Sequence, residues 1–326
     1  MIKIAINGFG RIGRMVFRAG LKDDNIQFVA LNDLTDTKTL AHLLKYDSTH
    51  GKLEGVSHTP NSLIINGKEI PVYKEKDPSA LPWKKHEVDV VVESTGFFTS
   101  VDKANLHIKA GAKKVIISAP GKGDVFTIVK GVNEHTYKGE KIVSNASCTT
   151  NSLAPIVKVL DDNFGLENGF MTTIHAYTAD QRIVDGPHSD LRRARAAATN
   201  IVPTTTGAAK AVTIVLPHLK GKLDGQAIRV PVVDGSLTDF TCNLKKEVSV
   251  DEINSLLKNV SENELKNVIE YSEEPLVSSD IIGNTHSCIV DGLSTMVSGK
   301  TVKISAWYDN EVGYSNRVID VAKIIK

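Results

Sequence analysis

A glycine triplet near the amino terminus constrains this chain more than any other feature. An apolar strand pattern over residues 3–7 runs straight into Gly8-Phe9-Gly10-Arg11-Ile12-Gly13, and a helix pattern continues through Arg18. A strand that turns at once into a helix needs a first glycine for the tight turn. A second lets an anionic ligand come close to the backbone, and a third lets helix and strand pack together. The helix N-terminus then offers unpaired N–H groups to a pyrophosphate. A second strand pattern at residues 28–31 ends in Asn32-Asp33, and Asp33 lies 20 residues beyond Gly13. An acid at that place bonds a ribose 2′-hydroxyl and repels a 2′-phosphate. Gly8, Gly10, Gly13 and Asp33 therefore predict a dinucleotide site that prefers NAD to NADP. A tight turn followed by a chance aspartate is the bland alternative.

Further apolar runs at residues 88–93 and 115–118 alternate with helix-compatible stretches such as residues 101–110. Continuous Val/Ile runs suit a parallel sheet buried on both faces. Ser94-Thr95-Gly96 and Ser118-Ala119-Pro120 fall at the carboxyl ends of such strands, where cofactors lie. Residues 59–71, with Asn66-Gly67 between short strand patterns, read as a hairpin. Beyond residue 148 the pattern changes. Long alternating runs at residues 169–178, 227–233, 238–248 and 302–308 have few helices between them, which points to an antiparallel sheet. Helices fit residues 207–216, 250–259 and 315–325. The expected fold is α/β: a Rossmann-type dinucleotide-binding domain over residues 1–147, then an α+β catalytic domain with a mostly antiparallel sheet over residues 148–314. Residues 315–326 form a terminal helix expected to pack back on the first domain.

Length and composition remove other classes. With 326 residues, 41% of them hydrophobic and 24% charged, the chain can build two cores. Its net charge of +1 gives no push toward nucleic acid or membrane. No apolar run approaches the roughly 20 residues that span a bilayer, and residues 1–7 read as a strand and not as a signal peptide. Three cysteines, Cys148, Cys242 and Cys288, are an odd number without CxxC spacing. That argues against a disulfide framework or a metal site and for a reducing, cytoplasmic setting.

The chemistry centres on Ser144-Asn145-Ala146-Ser147-Cys148-Thr149-Thr150-Asn151-Ser152. Cys148 stands where a helix pattern begins, and both the helix dipole and free N–H groups favour a thiolate there. A cysteine nucleophile wants a base. Among ten histidines, His175 sits on a strand amid small polar residues. A satisfied core imidazole is the alternative reading. Cys242 and Cys288 read as small buried hydrophobes. Residues 180–200 form a long arginine-rich loop, which in a compact domain is usually functional. A solvated basic loop is the bland reading, and a nucleic-acid patch lacks the interleaved aromatics it needs.

Over essentially its whole length the chain resembles the phosphorylating glyceraldehyde-3-phosphate dehydrogenases. The resemblance rests on residues 7–14, Asn32-Asp33-Leu34, residues 144–151, Thr173-Ile174-His175-Ala176-Tyr177-Thr178, residues 191–197, residues 203–210, Arg229-Val230-Pro231 and Trp307-Tyr308-Asp309-Asn310-Glu311. It implies oxidative phosphorylation of D-glyceraldehyde 3-phosphate to 1,3-bisphosphoglycerate, with NAD reduced to NADH. Cys148 would attack the aldehyde, giving a thiohemiacetal. His175 would take the hydroxyl proton as hydride leaves, and inorganic phosphate would then attack the thioester. The substrate phosphate would be held by Thr178 and Arg229, with Arg193 close by. The attacking phosphate would be held by Ser147, Thr149, Thr206 and Gly207. Arg11 and Ile12 would offer backbone N–H groups to the pyrophosphate. Asp33 would bind the adenine ribose, Lys76 and Ser118 would line the cofactor cleft, and Asn310 would bond the nicotinamide carboxamide. A homotetramer is implied, and no nucleic acid, membrane or metal.

Two positions depart from the family pattern. Gly186-Pro187 replaces a Leu-Pro common in NAD-using bacterial members, which touches the adenosine of a neighbouring subunit. Lys76 replaces an arginine before Asp-Pro, where a backbone contact would survive the change. Two alternatives remain at this point. An erythrose-4-phosphate dehydrogenase would share the Cys/His pair, although the intact residues 204–210 argue against it. A non-catalytic binding protein would keep only the scaffold.

Overall fold

A computed structural model describes residues 1–326 as two compact units. One comprises Met1–Ile128, Glu134–Ala146 and Ser315–Lys326, and the other Val129–Asn133 and Ser147–Tyr314.

The first unit opens with β1 (Ile2–Asn7), α1 (Arg11–Gly20), β2 (Ile26–Asn32) and α2 (Thr37–Lys45). A two-stranded ribbon, β3 (Tyr46–Asp47) and β4 (Gly51–Lys52), follows. Then come β5 (Val56–Thr59), β6 (Ser62–Ile65), β7 (Lys68–Tyr73), β8 (Val90–Glu93), α3 (Val101–Lys109), β9 (Lys114–Ile117), β10 (Phe126–Thr127) and β11 (Ile142–Ser144). The nine-stranded sheet has the order β10-β11-β9-β8-β1-β2-β7-β6-β5. Its strands from β10 through β7 pair in parallel. The Val/Ile runs are its centre. Val90, Val91, Val92, Val115, Ile116 and Ile117 are all fully buried, because helices and loops cover both faces. β6 and β7 form the expected hairpin. Asn66 (φ 49°) and Gly67 (φ 80°) make a two-residue turn with both φ positive, the geometry that suits the right-handed twist of the flanking strands.

The second unit begins with α4 (Cys148–Phe164) and the long β12 (Leu166–Ala176). β13 (Val202–Thr205), α5 (Ala208–Val215), β14 (Leu223–Val230), β15 (Ser236–Leu244) and α6 (Val250–Glu262) follow. The unit continues through β16 (Ile269–Ser272), β17 (Cys288–Asp291), β18 (Met296–Ser298) and β19 (Thr301–Tyr308), and α7 (Val312–Ile325) starts at its end. Its eight-stranded sheet runs β13-β14-β12-β15-β19-β17-β16, with β18 on β19. Most pairs are antiparallel, but β12 with β14 and β16 with β17 are parallel. Strand alternation by itself does not reveal these pairings, since the direction of a pair depends on the chain that connects its two strands. β15 and β19 bury every second residue, so one face of the sheet packs against α4. Ser249 and Glu252 form a reciprocal capping box that fixes where α6 starts. Most of α7 belongs to the first unit, where Lys323 pairs with Asp23 and the small Gly20 leaves room for Ile319.

Candidate active site

The chain leaves β11 at Ser144 and passes through Ala146, whose φ of 53° is left-handed. A non-glycine residue there costs about 1–2 kcal/mol, a strain of the kind that gathers at functional sites. Ser147 is extended, and its Oγ accepts the Thr150 N–H at 3.1 Å, which caps α4. Cys148 is therefore the first helical residue, as the sequence pattern predicts. Asn151 also ties its Nδ2 back to the Ser147 carbonyl at 3.0 Å.

His175 lies on β12 and is buried. Its Nε2 stands 3.4 Å from the Cys148 Sγ. The parallel register of β12 and β14 sets His175 directly beside Arg229. The Ala176 carbonyl lies 2.7 Å from His175 Nδ1 and 3.0 Å from Arg229 Nη1. A carbonyl oxygen only accepts, so it receives the Arg229 N–H and, in the tautomer with the imidazole proton on Nδ1, that N–H as well. The Nε2 lone pair is thereby turned to the sulfur. Arg229 Nη1 also lies 2.9 Å from Nδ1, and its charge opposes a positive charge on the ring.

Tyr308 completes the cluster. Its ring meets His175 edge-on, with centroids 5.9 Å apart. Its hydroxyl bonds both Thr149 Oγ1 and Thr173 Oγ1 at 2.8 Å. Thr149 is consequently buried and bound to Tyr308, with its Oγ1 3.9 Å from the sulfur.

Burial shapes the titration of this pair. It pushes the Cys148 thiol above its ordinary value, against the opposing pull of Arg229 and the Thr149 hydrogen bonds. It lowers His175 to about 3, and the Arg229 charge adds to that effect. Burial thus opposes the thiolate that the helix terminus, Arg229 and the Thr149 hydrogen bonds favour, and it disfavours the imidazolium. A neutral imidazole with its lone pair on the sulfur is placed to take the thiol proton as the sulfur attacks.

Other predicted residues stand at helix N-termini, in turns and on neighbouring strands of this unit. The N-termini of α4 and α5 meet, with Thr150 Oγ1 bonding the Ala208 carbonyl at 3.4 Å. Thr206 accepts the Ala208 N–H at 3.2 Å, and Gly207 caps α5 with nothing within 4 Å of where a Cβ would stand. Thr178 is half-buried in the turn after β12, its carbonyl taking the Gln181 N–H at 2.9 Å. The Arg229 Nε is buried without a hydrogen bond, which leaves a cationic donor unsatisfied. Arg193 is engaged differently. It pairs with Asp180, donates to Thr204 Oγ1 at 2.9 Å and to the Thr205 carbonyl at 3.0 Å, and so pins the arginine loop to β13. Asn310 is buried, its Oδ1 accepting from Ser236 at 2.6 Å. Cys242 and Cys288 are buried and form no disulfide, and burial pushes Cys242 up to about 12.

Within the first unit the three glycines divide the work. Gly8 has φ 89°, and a Cβ on it would stand 2.8 Å from the Thr95 nitrogen. A Cβ on Gly13 would run into the Gly8 carbonyl, whereas one on Gly10 would meet nothing within 4 Å. Gly10 is thus the open side of the turn, where a ligand can touch backbone, and α1 starts there without a side-chain cap or an acid in its first turn. These features fit a dinucleotide pyrophosphate on the N–H groups of Arg11 and Ile12. The Arg11 guanidinium itself pairs with buried Asp47. Asp33 is fixed at the end of β2, accepting the Phe9 N–H at 2.8 Å and the Thr35 N–H at 2.9 Å. A cavity of about 490 Å³ opens beside it, bordered by Gly10, Leu34, Lys76, Thr95 and Phe97. Ser118 lies at the end of β9, bonded to the Glu93 carbonyl.

The motif that contains Tyr308 is visible in the sequence, but the role of Tyr308 is not. The two-residue period of β19 was the available signal, since it turns Tyr308 inward. Asp180 and Ser236 left no such signal, because their partners are distant in sequence.

The family model described as the glyceraldehyde 3-phosphate dehydrogenase NAD binding domain matches residues 2–101, and the one for the C-terminal domain matches residues 147–310. A protein named glyceraldehyde-3-phosphate dehydrogenase from Geobacillus stearothermophilus is 60% identical over 99% of this chain and 98% of its own length. One of that name from Thermotoga maritima is 60% identical over 100% and 99%. Glyceraldehyde-3-phosphate dehydrogenase 1 of Bacillus subtilis is 58% identical over 99% and 98%. Two matching domains and near-complete coverage of each relative put the chain in the glyceraldehyde-3-phosphate dehydrogenase family, as an NAD-dependent oxidoreductase.

Proposed function

We propose that the chain oxidises D-glyceraldehyde 3-phosphate and captures the acyl group on inorganic phosphate, giving 1,3-bisphosphoglycerate. The 3.4 Å approach of His175 Nε2 to Cys148 Sγ carries this reading. As the sulfur bonds the aldehyde carbon, Nε2 takes the thiol proton and passes it to the new oxygen. The Cys148 backbone N–H, at the start of α4, stabilises that oxygen. In the next step Nε2 takes the hydroxyl proton back while the carbon loses its hydride and becomes a thioester. NAD, when bound, supplies the acceptor for that hydride. A phosphate oxygen then attacks the acyl carbon, the C–S bond breaks, the departing sulfur takes the proton held on Nε2 to restore the thiol, and the phosphate proton passes to water.

Arg229 and Thr178 are assigned to the substrate phosphate, and the unsatisfied Arg229 Nε supports this. Ser147, Thr206 and Gly207 are assigned to inorganic phosphate, at two adjoining helix N-termini. Thr149, whose hydroxyl also bonds Tyr308, is assigned to the same phosphate. Arg193 is assigned a positioning part through Thr204 and Thr205. Asn310 is assigned to the nicotinamide carboxamide. A homotetramer is part of the proposal, supported by exposed Ile183, Val184 and Leu191 on the arginine loop. A cytoplasmic setting is supported by three cysteines that form no disulfide.

The test is NADH formation from glyceraldehyde 3-phosphate with and without phosphate or arsenate. Strong dependence is expected, and sustained turnover without either anion would defeat the reading. Replacement of Arg229 by leucine is expected to raise KM for the phosphorylated aldehyde by about 10–100-fold, the worth of a charge-assisted hydrogen bond. Unphosphorylated glyceraldehyde should be much less affected. Equal losses on both aldehydes would remove Arg229 from phosphate binding.

A further inference from the structure

Beneath the dinucleotide turn lies a buried polar chain to which the chemistry above gives no part. Glu93, at the end of β8, is 1% exposed, and His107 on α3 is fully buried. The Glu93 carboxylate accepts from Asn7 Nδ2 at 2.6 Å, from His107 Nε2 at 3.0 Å, and from the Thr95 N–H at 2.8 Å. It also accepts from the Thr95 hydroxyl. Four donors fill the four lone-pair positions of an ionised carboxylate.

The proton positions in this chain follow from its far end. Trp83 Nε1, which can only donate, stands 3.0 Å from His107 Nδ1. Nδ1 must accept, so the imidazole is neutral and its single proton, on Nε2, points to Glu93. The amide of Asn7 is equally fixed. Its Nδ2 is used by Glu93, and its Oδ1 accepts from Asn32 Nδ2 at 2.7 Å. Asn32 Oδ1 in turn accepts the Glu75 N–H at 2.9 Å.

Each branch ends on backbone that forms the cofactor site. Asn7 precedes Gly8, whose carbonyl accepts from Ser94 Oγ at 2.6 Å. Thr95 is the residue a Cβ on Gly8 would strike, and its Oγ1 accepts the Phe97 N–H at 3.1 Å. Asn32 precedes Asp33. Gly8, Asp33, Thr95 and Phe97 all border the cavity beside the turn.

We propose that Glu93, accepting the proton held on His107 Nε2, is a positioning residue for NAD that sets the separation of the Gly8 and Thr95 turns. The proposal rests on the NAD reading and extends it to residues that do not touch the cofactor. Its chemical content is that an acceptor-only group is required. Glutamine has the same shape but carries an NH2 donor. Every partner of Glu93 is already a donor, and Trp83 prevents His107 from reversing its proton.

The experiment measures the NAD dissociation constant, KM for NAD and kcat on purified full-length protein. Wild-type binding of NAD establishes the underlying reading, and its absence would defeat that reading separately. Glu93→Gln is expected to raise the dissociation constant and KM by about tenfold or more, the scale of one lost hydrogen bond to a charged group. At saturating NAD, kcat should stay within about threefold of wild type. A purely structural part for Glu93 would lower the melting temperature and leave the affinity of the folded protein unchanged. That outcome would overturn the proposal. Should Glu93→Gln fail to fold, His107 carries the test. His107→Leu removes the donor to Glu93 and is expected to weaken NAD binding. His107→Gln can accept from Trp83 and donate to Glu93, and is expected to restore it. Equal NAD affinity in the two His107 variants would overturn the proposal.

Discussion

Cys148→Ser is expected to abolish turnover, with a loss of roughly 10⁴–10⁶-fold, while NAD binding stays within about twofold of wild type. A serine hydroxyl keeps the size of the side chain and its place at the first position of α4. It lacks the sulfur's nucleophilicity, and a carboxylic ester in place of a thioester would be a poor donor to phosphate. The cofactor turn, Gly8 to Gly13, belongs to the other compact unit, so its glycine geometry does not depend on the sulfur. Single-turnover NADH absorbance and a separate NAD titration read the two quantities. Near-normal turnover would remove Cys148 from the nucleophile's part. Joint loss of turnover and NAD affinity would show that the substitution disturbs more than the sulfur.

His175→Asn should reduce the rate of NADH formation by about 10²–10⁴-fold, the usual worth of a positioned general base. Asparagine can still bond the Ala176 carbonyl, but it places no basic atom at the 3.4 Å position that Nε2 holds. A second effect separates the base from a structural imidazole. The native ring is depressed to about 3, whereas in the unfolded chain it titrates near 6.5. Between these values the unfolded chain binds a proton that the native ring refuses, so native stability falls as pH falls through that window. Above it neither form is protonated, and the ring makes no contribution to the pH dependence. Removal of His175 should therefore flatten the acid side of the stability profile, as seen in denaturant midpoints at neutral and mildly acidic pH. Parallel profiles for variant and wild type would mean that His175 titrates normally.

Much of the fold was legible because its signals are local. The Gly8, Gly10 and Gly13 spacing encodes a turn whose steric demands are met within a few residues, and the structure shows Gly10 open and Gly13 closed against Gly8. Asn66-Gly67 encodes its own turn. The buried Val/Ile runs encode a sheet covered on both faces. Ser147 encodes the start of α4 through one side-chain oxygen. The parallel β12–β14 pairing was not legible, because pairing direction is a property of two strands and of the crossover between them. Nor was the titration of Cys148. A helix start can be read from neighbouring residues, but the burial that raises the thiol and the Arg229 charge that opposes it exist only once β12, β14 and β19 stand around the sulfur.

The sequence by itself determined the architecture, the dinucleotide turn, and which residues have chemistry worth bringing together. Short-range sterics, two- and 3.6-residue periods and capping do not need the rest of the molecule. Only the tertiary structure decided that His175 presents Nε2 to the sulfur, that Thr149 is held by Tyr308, and that Arg193 spends its donors on Asp180, Thr204 and Thr205. It also decided that Glu93 is ringed by donors. These are relations between residues far apart in the chain. Their geometry and their charges are set by strand register and burial, which exist only once the sheet has formed.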